Sequence, residues 1–240
     1  MSDHRWLTLT LEAPLVAFGG VTIDHMGVTR DFPAASMLTG LLANALGYAR
    51  TDWADHQQLQ DRLLFAARWE RESPSGLLTD TQNAKLEKND KGWTTWGELE
   101  GRDGASYGAP HRRLRSYHMD AQVTVVLRLE PDSEVPDLDT LAARLDRPVR
   151  PLFIGRKPCL PSAPLLRQPA FMTAPTAHAA MQQLPGQGRL RALWPLGEGP
   201  ERGEEVVRIL DLPDIRNWRT GLHGGARRVV EGFVCPEQGP

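Results

Sequence analysis

Trp6-Leu7-Thr8-Leu9-Thr10-Leu11-Glu12 alternates apolar and polar residues, and Met37-Leu38-Thr39-Gly40-Leu41-Leu42-Ala43-Asn44-Ala45-Leu46 spaces its apolar residues as a helix does. Successive side chains of a strand point to opposite faces, so the first run predicts a strand over 6–12 with Leu7, Leu9 and Leu11 together. The second predicts a helix over 36–46, with Met37, Leu38, Leu41, Leu42, Ala45 and Leu46 on one side. Gly47 suits the helix C-terminus, where a left-handed residue closes the last turn. About twenty residues join strand to helix, a length more often functional or disordered than mere filler.

Working outward, the pattern predicts a second helix over 56–64 and a strand over 65–70. Between 73 and 117 the apolar period is lost, although Trp93, Trp96 and Tyr107 punctuate the stretch. Plain linkers are poor in aromatics, so an inserted hairpin that orders against a partner fits better. Ala121-Gln122-Val123-Thr124-Val125-Val126-Leu127-Arg128-Leu129 restores a strand over 120–129, and a helix follows over 138–145. Strands over 189–194 and 206–210, then a glycine-rich basic loop around Gly221, Gly224, Gly225, Arg227 and Arg228, complete the chain. The order of strand, helix, strand, insertion, strand and helix predicts an α+β fold with a ferredoxin-like (RRM-like) core. It is expected as a single domain over 1–240, with an inserted β-hairpin thumb over 75–117 and a small β-rich C-terminal extension over 165–240.

Composition narrows the function. Hydrophobic residues make up 40% of the chain, enough for a core, and no apolar run approaches the ~20 residues of a membrane span. The first residues, Met1-Ser2-Asp3-His4-Arg5, lack the regions of a signal peptide, so the expected location is cytoplasmic, with no membrane partner. Cys159 and Cys235 form no C-x-x-C pair, so no zinc site is indicated, and no cofactor is expected. The net charge of −2 argues against indiscriminate nucleic-acid binding but allows a local basic groove. Arg144, Arg147, Arg150, Arg156, Lys157 and Arg167 face Asp146 alone within 144–167, and His111-Arg112-Arg113-Leu114-Arg115 is a second basic patch.

Several segments resemble the Cas-five family, the RAMP-type subunits of type I-E CRISPR Cascade complexes. The opening strand, the long loop and the helix after Pro33-Ala34-Ala35-Ser36 are similar to the family's start. Leu78-Thr79-Asp80-Thr81-Gln82 resembles its entry into a thumb, and Arg115-Ser116-Tyr117-His118-Met119-Asp120-Ala121 its return. Arg150-Pro151-Leu152-Phe153-Ile154-Gly155-Arg156-Lys157-Pro158-Cys159-Leu160-Pro161 is the most specific match, to a Pro-x-x-Leu-Gly-Arg-Arg-x-Cys-x-Pro stretch. The chain departs before its first helix, where the family's hydroxyl, cation and glycine are replaced by Ala34, Ala35 and Met37.

The resemblance implies a non-enzymatic subunit that caps the 5′ handle of the CRISPR RNA. Its thumb would reach towards the adjacent backbone subunit, another face would meet the large subunit, and target DNA would be met only through the complex. The candidate RNA-binding residues are Arg30, Ser36, Gln82, Arg112, Arg113, Arg115, Arg156 and Lys157. Arg30 and the amides at the helix start are expected to attract phosphate, with a plain surface arginine and a helix N-cap serine as the bland alternative. Arg156 and Lys157 are expected to be displayed by a proline-stiffened loop. Trp93, Trp96 and Tyr107 are the candidate thumb and partner contacts. No nucleophile, paired-carboxylate or metal-ligand spacing is present, so no catalytic residue is expected. The rivals are an endoribonuclease that processes precursor CRISPR RNA, with His118, His25 or Tyr117 as its base, and a pure scaffold.

Overall fold

A computed structural model of the chain describes residues 3–74, 76–85, 91–93, 98–101 and 110–237. In chain order the strands and helices begin with β1 His4–Val16, β2 Thr22–Ile23, β3 Met26–Gly27, α1 Ala35–Leu46, α2 Trp53–Arg62 and β4 Leu63–Arg71. The insertion supplies β5 Leu77–Ala84, β6 Lys91–Trp93 and β7 Leu99–Gly101, and β8 His111–Leu129 returns from it. There follow α3 Leu138–Asp146, β9 Leu166–Ala174, α4 Ala177–Gln183, β10 Leu190–Pro195, β11 Val206–Leu212 and β12 Arg227–Val234.

The fold is mixed α+β, with a large sheet running β11-β12-β10-β4-β8-β1-β9. Trp6, Leu7, Thr8 and Leu9 are all buried, so β1 is covered on both faces. On one face Leu7, Leu9, Leu11, Val123, Val125 and Leu127 join a core with Leu38 and Leu42 of α1 and Leu141 and Leu145 of α3. On the other, Trp6, Ala66 and Val126 meet Ala177, Ala180 and Met181 of α4, with Trp194 and Val230. Among the described residues, no helix is long and apolar enough to cross a membrane.

Several elements differ from expectation for identifiable reasons. The second helix begins at Trp53 rather than at 56, because the Asp52 carboxylate accepts the Ala49 N–H at 2.7 Å and its carbonyl accepts the His56 N–H at 3.2 Å. It ends at Arg62 because Leu63 and Leu64 register with Leu129 and Arg128 of β8. β9 escapes the pattern because Pro169 argues against a central strand, yet β9 stands at the sheet's edge, where proline is tolerated. The segment after 165 therefore feeds both ends of the sheet, β9 beside β1 and β10 beside β4.

The strand expected over 120–129 is the inner half of the much longer β8. Its outer half pairs with β5 from Leu77↔His118 to Ala84↔His111, a two-stranded ribbon leaving the sheet. Asp120 marks the departure with φ of 44°, a left-handed conformation that aspartate tolerates better than most residues. Arg71 fixes the bend by donating to the Asp120 carbonyl and carboxylate, both at 2.9 Å. Trp96 and Tyr107 lie outside the described residues, and Trp93 stands in β6 with only its backbone described.

Candidate nucleic-acid interface

The start of α1 departs most from expectation. Ala34, not Ser36, is the N-cap residue, and it has no side chain to offer. The cap comes from Asp214, whose Oδ2 accepts the Ala35 N–H at 3.0 Å and whose carbonyl accepts the Ser36 N–H at 3.1 Å. Asp214 is fully buried, and Arg227 Nε donates to the same carboxylate at 2.9 Å. The helix terminus thus already holds an anion supplied by the chain itself. Arg30 does not converge on it with a free guanidinium; it donates to the Pro213 carbonyl instead.

The loop that carries Asp214 continues over α1 and α2. Gln60 donates to the Arg216 carbonyl at 2.8 Å and accepts the Arg216 N–H at 3.1 Å. Trp218 stacks on His56 with ring centroids 4.6 Å apart and donates its indole N–H to Gln60 at 3.2 Å. Residues 216–223 become one wall of a cleft, α1 its floor and the 150–157 loop its opposite wall.

That opposite wall is held tightly. Ile154 donates to the Cys159 carbonyl and Cys159 to the Arg156 carbonyl, both at 2.8 Å. Gly155 has φ of +84°, and a Cβ there would lie 1.7 Å from the Ala17 carbonyl oxygen, so only glycine lets the turn press against the end of β1. Cys159 is buried beneath the turn, and burial pushes its thiol above the ordinary range.

The expectation that Arg156 is displayed is corrected here. Its guanidinium donates to the Ser116 and Gly27 carbonyls at 2.8 Å and to Val28 at 3.0 Å, and lies over the Tyr117 ring at 4.9 Å. Five donors on a planar fork suit such multiple carbonyl binding. Arg156 therefore ties the loop to the base of the ribbon, while Lys157 beside it is exposed.

The cleft has a volume of about 900 Å³. Its walls bring together Arg50, Arg150, Arg156, Lys157, Arg216 and Arg219, and no aspartate or glutamate lines it among the described residues. Tyr48, Trp53, Phe153 and Trp218 supply aromatic surface, and the imidazoles of His56 and His223 complete the lining. Burial, then the nearby Arg216 and Arg30, hold the His223 imidazole below its ordinary range. Field lines from like charges concentrate in such a cleft and favour a polyanion.

The expected RNA-binding residues other than Arg30 divide into two groups. Ser36, Arg156 and Lys157 line the cleft. Gln82, Arg112, Arg113 and Arg115 stand on the ribbon, where Arg112 and Arg113 are exposed opposite Asn83 and Gln82. Arg115 is turned inward and donates to the His25 and Leu114 carbonyls. Sequence reading missed Arg50, Trp53, Arg216, Trp218 and Arg219; the alternation of tryptophan with arginine in Arg216-Asn217-Trp218-Arg219 was the available signal.

The rival bases are also visible. His118 is buried, donates from Nε2 to the Arg30 carbonyl at 2.8 Å, and packs on Phe18 and Trp69 with centroids 5.2 Å away in both cases. Tyr117 is covered by Arg156, and His25 pairs with Asp24 at 2.9 Å. Among the described residues, no three His, Cys, Asp or Glu side chains converge as metal ligands.

Comparison with known proteins follows the same lines. The model of the CRISPR-associated protein (Cas_Cas5) family matches residues 6–230. The CRISPR system Cascade subunit CasD of Escherichia coli (strain K12) is 29% identical over 162 residues, covering 68% of this chain and 70% of that protein. A chain of a CRISPR RNA-guided surveillance complex superposes with a TM-score of 0.68 at 22% identity, covering 95% of this chain and 90% of that one. A crystal structure of a Cas protein does so with a TM-score of 0.58 at 23% identity, covering 98% of this chain and all of the other.

Proposed function

The chain belongs to the CRISPR-associated protein (Cas_Cas5) family, and from that premise we propose that it is the non-catalytic RNA-binding subunit of a type I-E Cascade effector complex, holding the 5′ handle of the CRISPR RNA in its basic cleft. The observation that carries this reading is the cleft itself, where six cations and four aromatic rings line one volume without a carboxylate among the described residues. Cations neutralise phosphates, while aromatic faces accept splayed bases. Cascade membership is carried over from CasD, the relative whose description names that complex.

The sheet order β4-β8-β1-β9, with α1 and α3 on one face, supports a ferredoxin-like core. The β5–β8 ribbon is the root of a thumb over 75–117, with Arg112 and Arg113 exposed to meet RNA or the adjacent backbone subunit. The large subunit takes another face, and target DNA is read by the guide RNA rather than by this chain. The expected setting is a cytoplasmic ribonucleoprotein acting in antiviral defence. Against the endoribonuclease reading, His118 and Tyr117 are occupied by packing and His25 is paired with Asp24, which leaves the cleft imidazoles of His56, stacked on Trp218, and His223.

The test is recovery of RNA from the assembled complex. Native handle RNA should resist exchange with a scrambled handle of the same length, and its retention should fall steeply with salt. Equal retention of both RNAs would overturn handle recognition.

A further inference from the structure

The described tryptophans separate into two kinds. Trp6 donates its indole N–H to the Ala174 carbonyl at 3.0 Å, Trp69 to Asp31 at 3.1 Å, Trp194 to Pro200 at 3.1 Å and Trp218 to Gln60 at 3.2 Å. The first three are essentially buried. Each of these four rings is part of the chain's own packing. Trp53 differs. It is 45% exposed, stands in the first turn of α2 and faces the cleft. Among the described residues it has no ring partner and no acceptor for its indole N–H, and its cation contact is Arg219, 5.6 Å from the ring centroid.

A large aromatic face left open beside a guanidinium, inside a cationic cleft, has a limited set of uses. Water gains nothing from it. An aliphatic ligand would leave the surrounding cations unmatched. A nucleobase satisfies both, because its π-face stacks on the indole or the guanidinium while its phosphate meets the neighbouring charges. Arg50 and Arg219 stand on the same lining as Trp53, within one cleft.

We propose that Trp53 and Arg219 form a stacking subsite for one unpaired base of the bound RNA, so that the cleft fixes the register of the RNA as well as its charge. This rests on the RNA-binding reading above. The subsite selects for an unstacked base of either purine or pyrimidine type, since every base presents a π-face. It also separates labour within the cleft: the exposed Lys157 holds phosphate without regard to position, and Trp53 holds one nucleotide.

The experiment uses the full-length chain and the CRISPR RNA recovered with its own complex, resynthesised with a single abasic site at each handle position. Trp53→Ala should weaken binding by ~5–100-fold, with the slope of log affinity against log salt unchanged because no phosphate contact is lost. One abasic position should cause the same loss in the parent protein and no further loss in Trp53→Ala. Trp53→Phe should restore most of the affinity, and the melting temperature should stay level because the ring is largely outside the core. Unchanged affinity in Trp53→Ala would overturn the subsite. So would a loss that adds to every abasic position alike, which would mark a structural effect. Failure of the parent chain to hold any recovered RNA would instead overturn the RNA-binding reading itself, and the subsite with it.

Discussion

Asp214 places its carboxylate 3.0 Å from the backbone nitrogen of Ala35, so a residue near the end of the chain caps the helix near its beginning. Arg227 completes the arrangement at 2.9 Å, lying over the Phe65 ring at 4.1 Å. The wall of the cleft and its floor are thereby one unit. Removing either partner leaves a buried charge without its counterpart, which costs more than the pair is worth when intact. Asp214→Ala should lower stability by about 3–5 kcal/mol. Thermal melting checks this, and an unchanged midpoint would contradict the capping role.

Arg156 and Lys157 are neighbours with different work. Arg156→Ala should cost about 1–3 kcal/mol, because three carbonyls lose a charged donor at the base of the ribbon. Lys157→Ala should leave the melting temperature alone, as exposed charges contribute only ~0–1 kcal/mol, and should lower the salt slope of RNA binding by about 1. Melting curves and salt titrations of both variants, measured side by side, separate the roles. Identical behaviour of the two would count against them.

If RNA occupies the cleft as proposed, His223 should link its binding to pH. Burial and the adjacent Arg216 and Arg30 lower its proton affinity in the free protein. A polyanion in the cleft offsets those cations and raises that affinity, so the bound state takes up protons. Because the free-protein imidazole is held below its ordinary range, RNA affinity should rise as pH falls towards and below that range, and His223→Gln should flatten that rise. Competition binding across that range is the measurement. A rise of equal steepness in the variant would assign the proton elsewhere.

His118 should behave as a structural residue. Its ring fills the space between Phe18 and Trp69, and its Nε2 satisfies the Arg30 carbonyl. His118→Ala should lower the melting temperature, and gel analysis should find no discrete cleavage product from repeat RNA with either protein. A product that disappears in the variant would support the endoribonuclease rival.

The opening alternation and the α1 period were legible because one face of each element is simply apolar. β8 was half legible: its inner part is a run of valines and leucines, but its outer part is Arg112, Arg113 and Arg115, held as a strand by β5 rather than by burial. Tertiary pairing, not local preference, decides such a segment. The cleft was less legible still. Arg150, Arg156 and Lys157 stood out as a basic run, whereas Arg50, Trp53, Arg216 and Arg219 meet them only through the long-range fastening of Asp214 and Gln60 to α1 and α2. Local sequence also cannot distinguish a displayed arginine from one tied to three carbonyls, as Arg156 is.

On the proposed reading, the handle of the CRISPR RNA lies in this cleft. Photo-crosslinking tests it most directly, using the assembled complex with 4-thiouridine placed at each handle uridine and mapping the attached peptides by mass spectrometry. Adducts are expected on peptides containing residues 36–57, 150–157 and 216–223. Adducts confined to the ribbon, or to other subunits with this cleft unmarked, would contradict it.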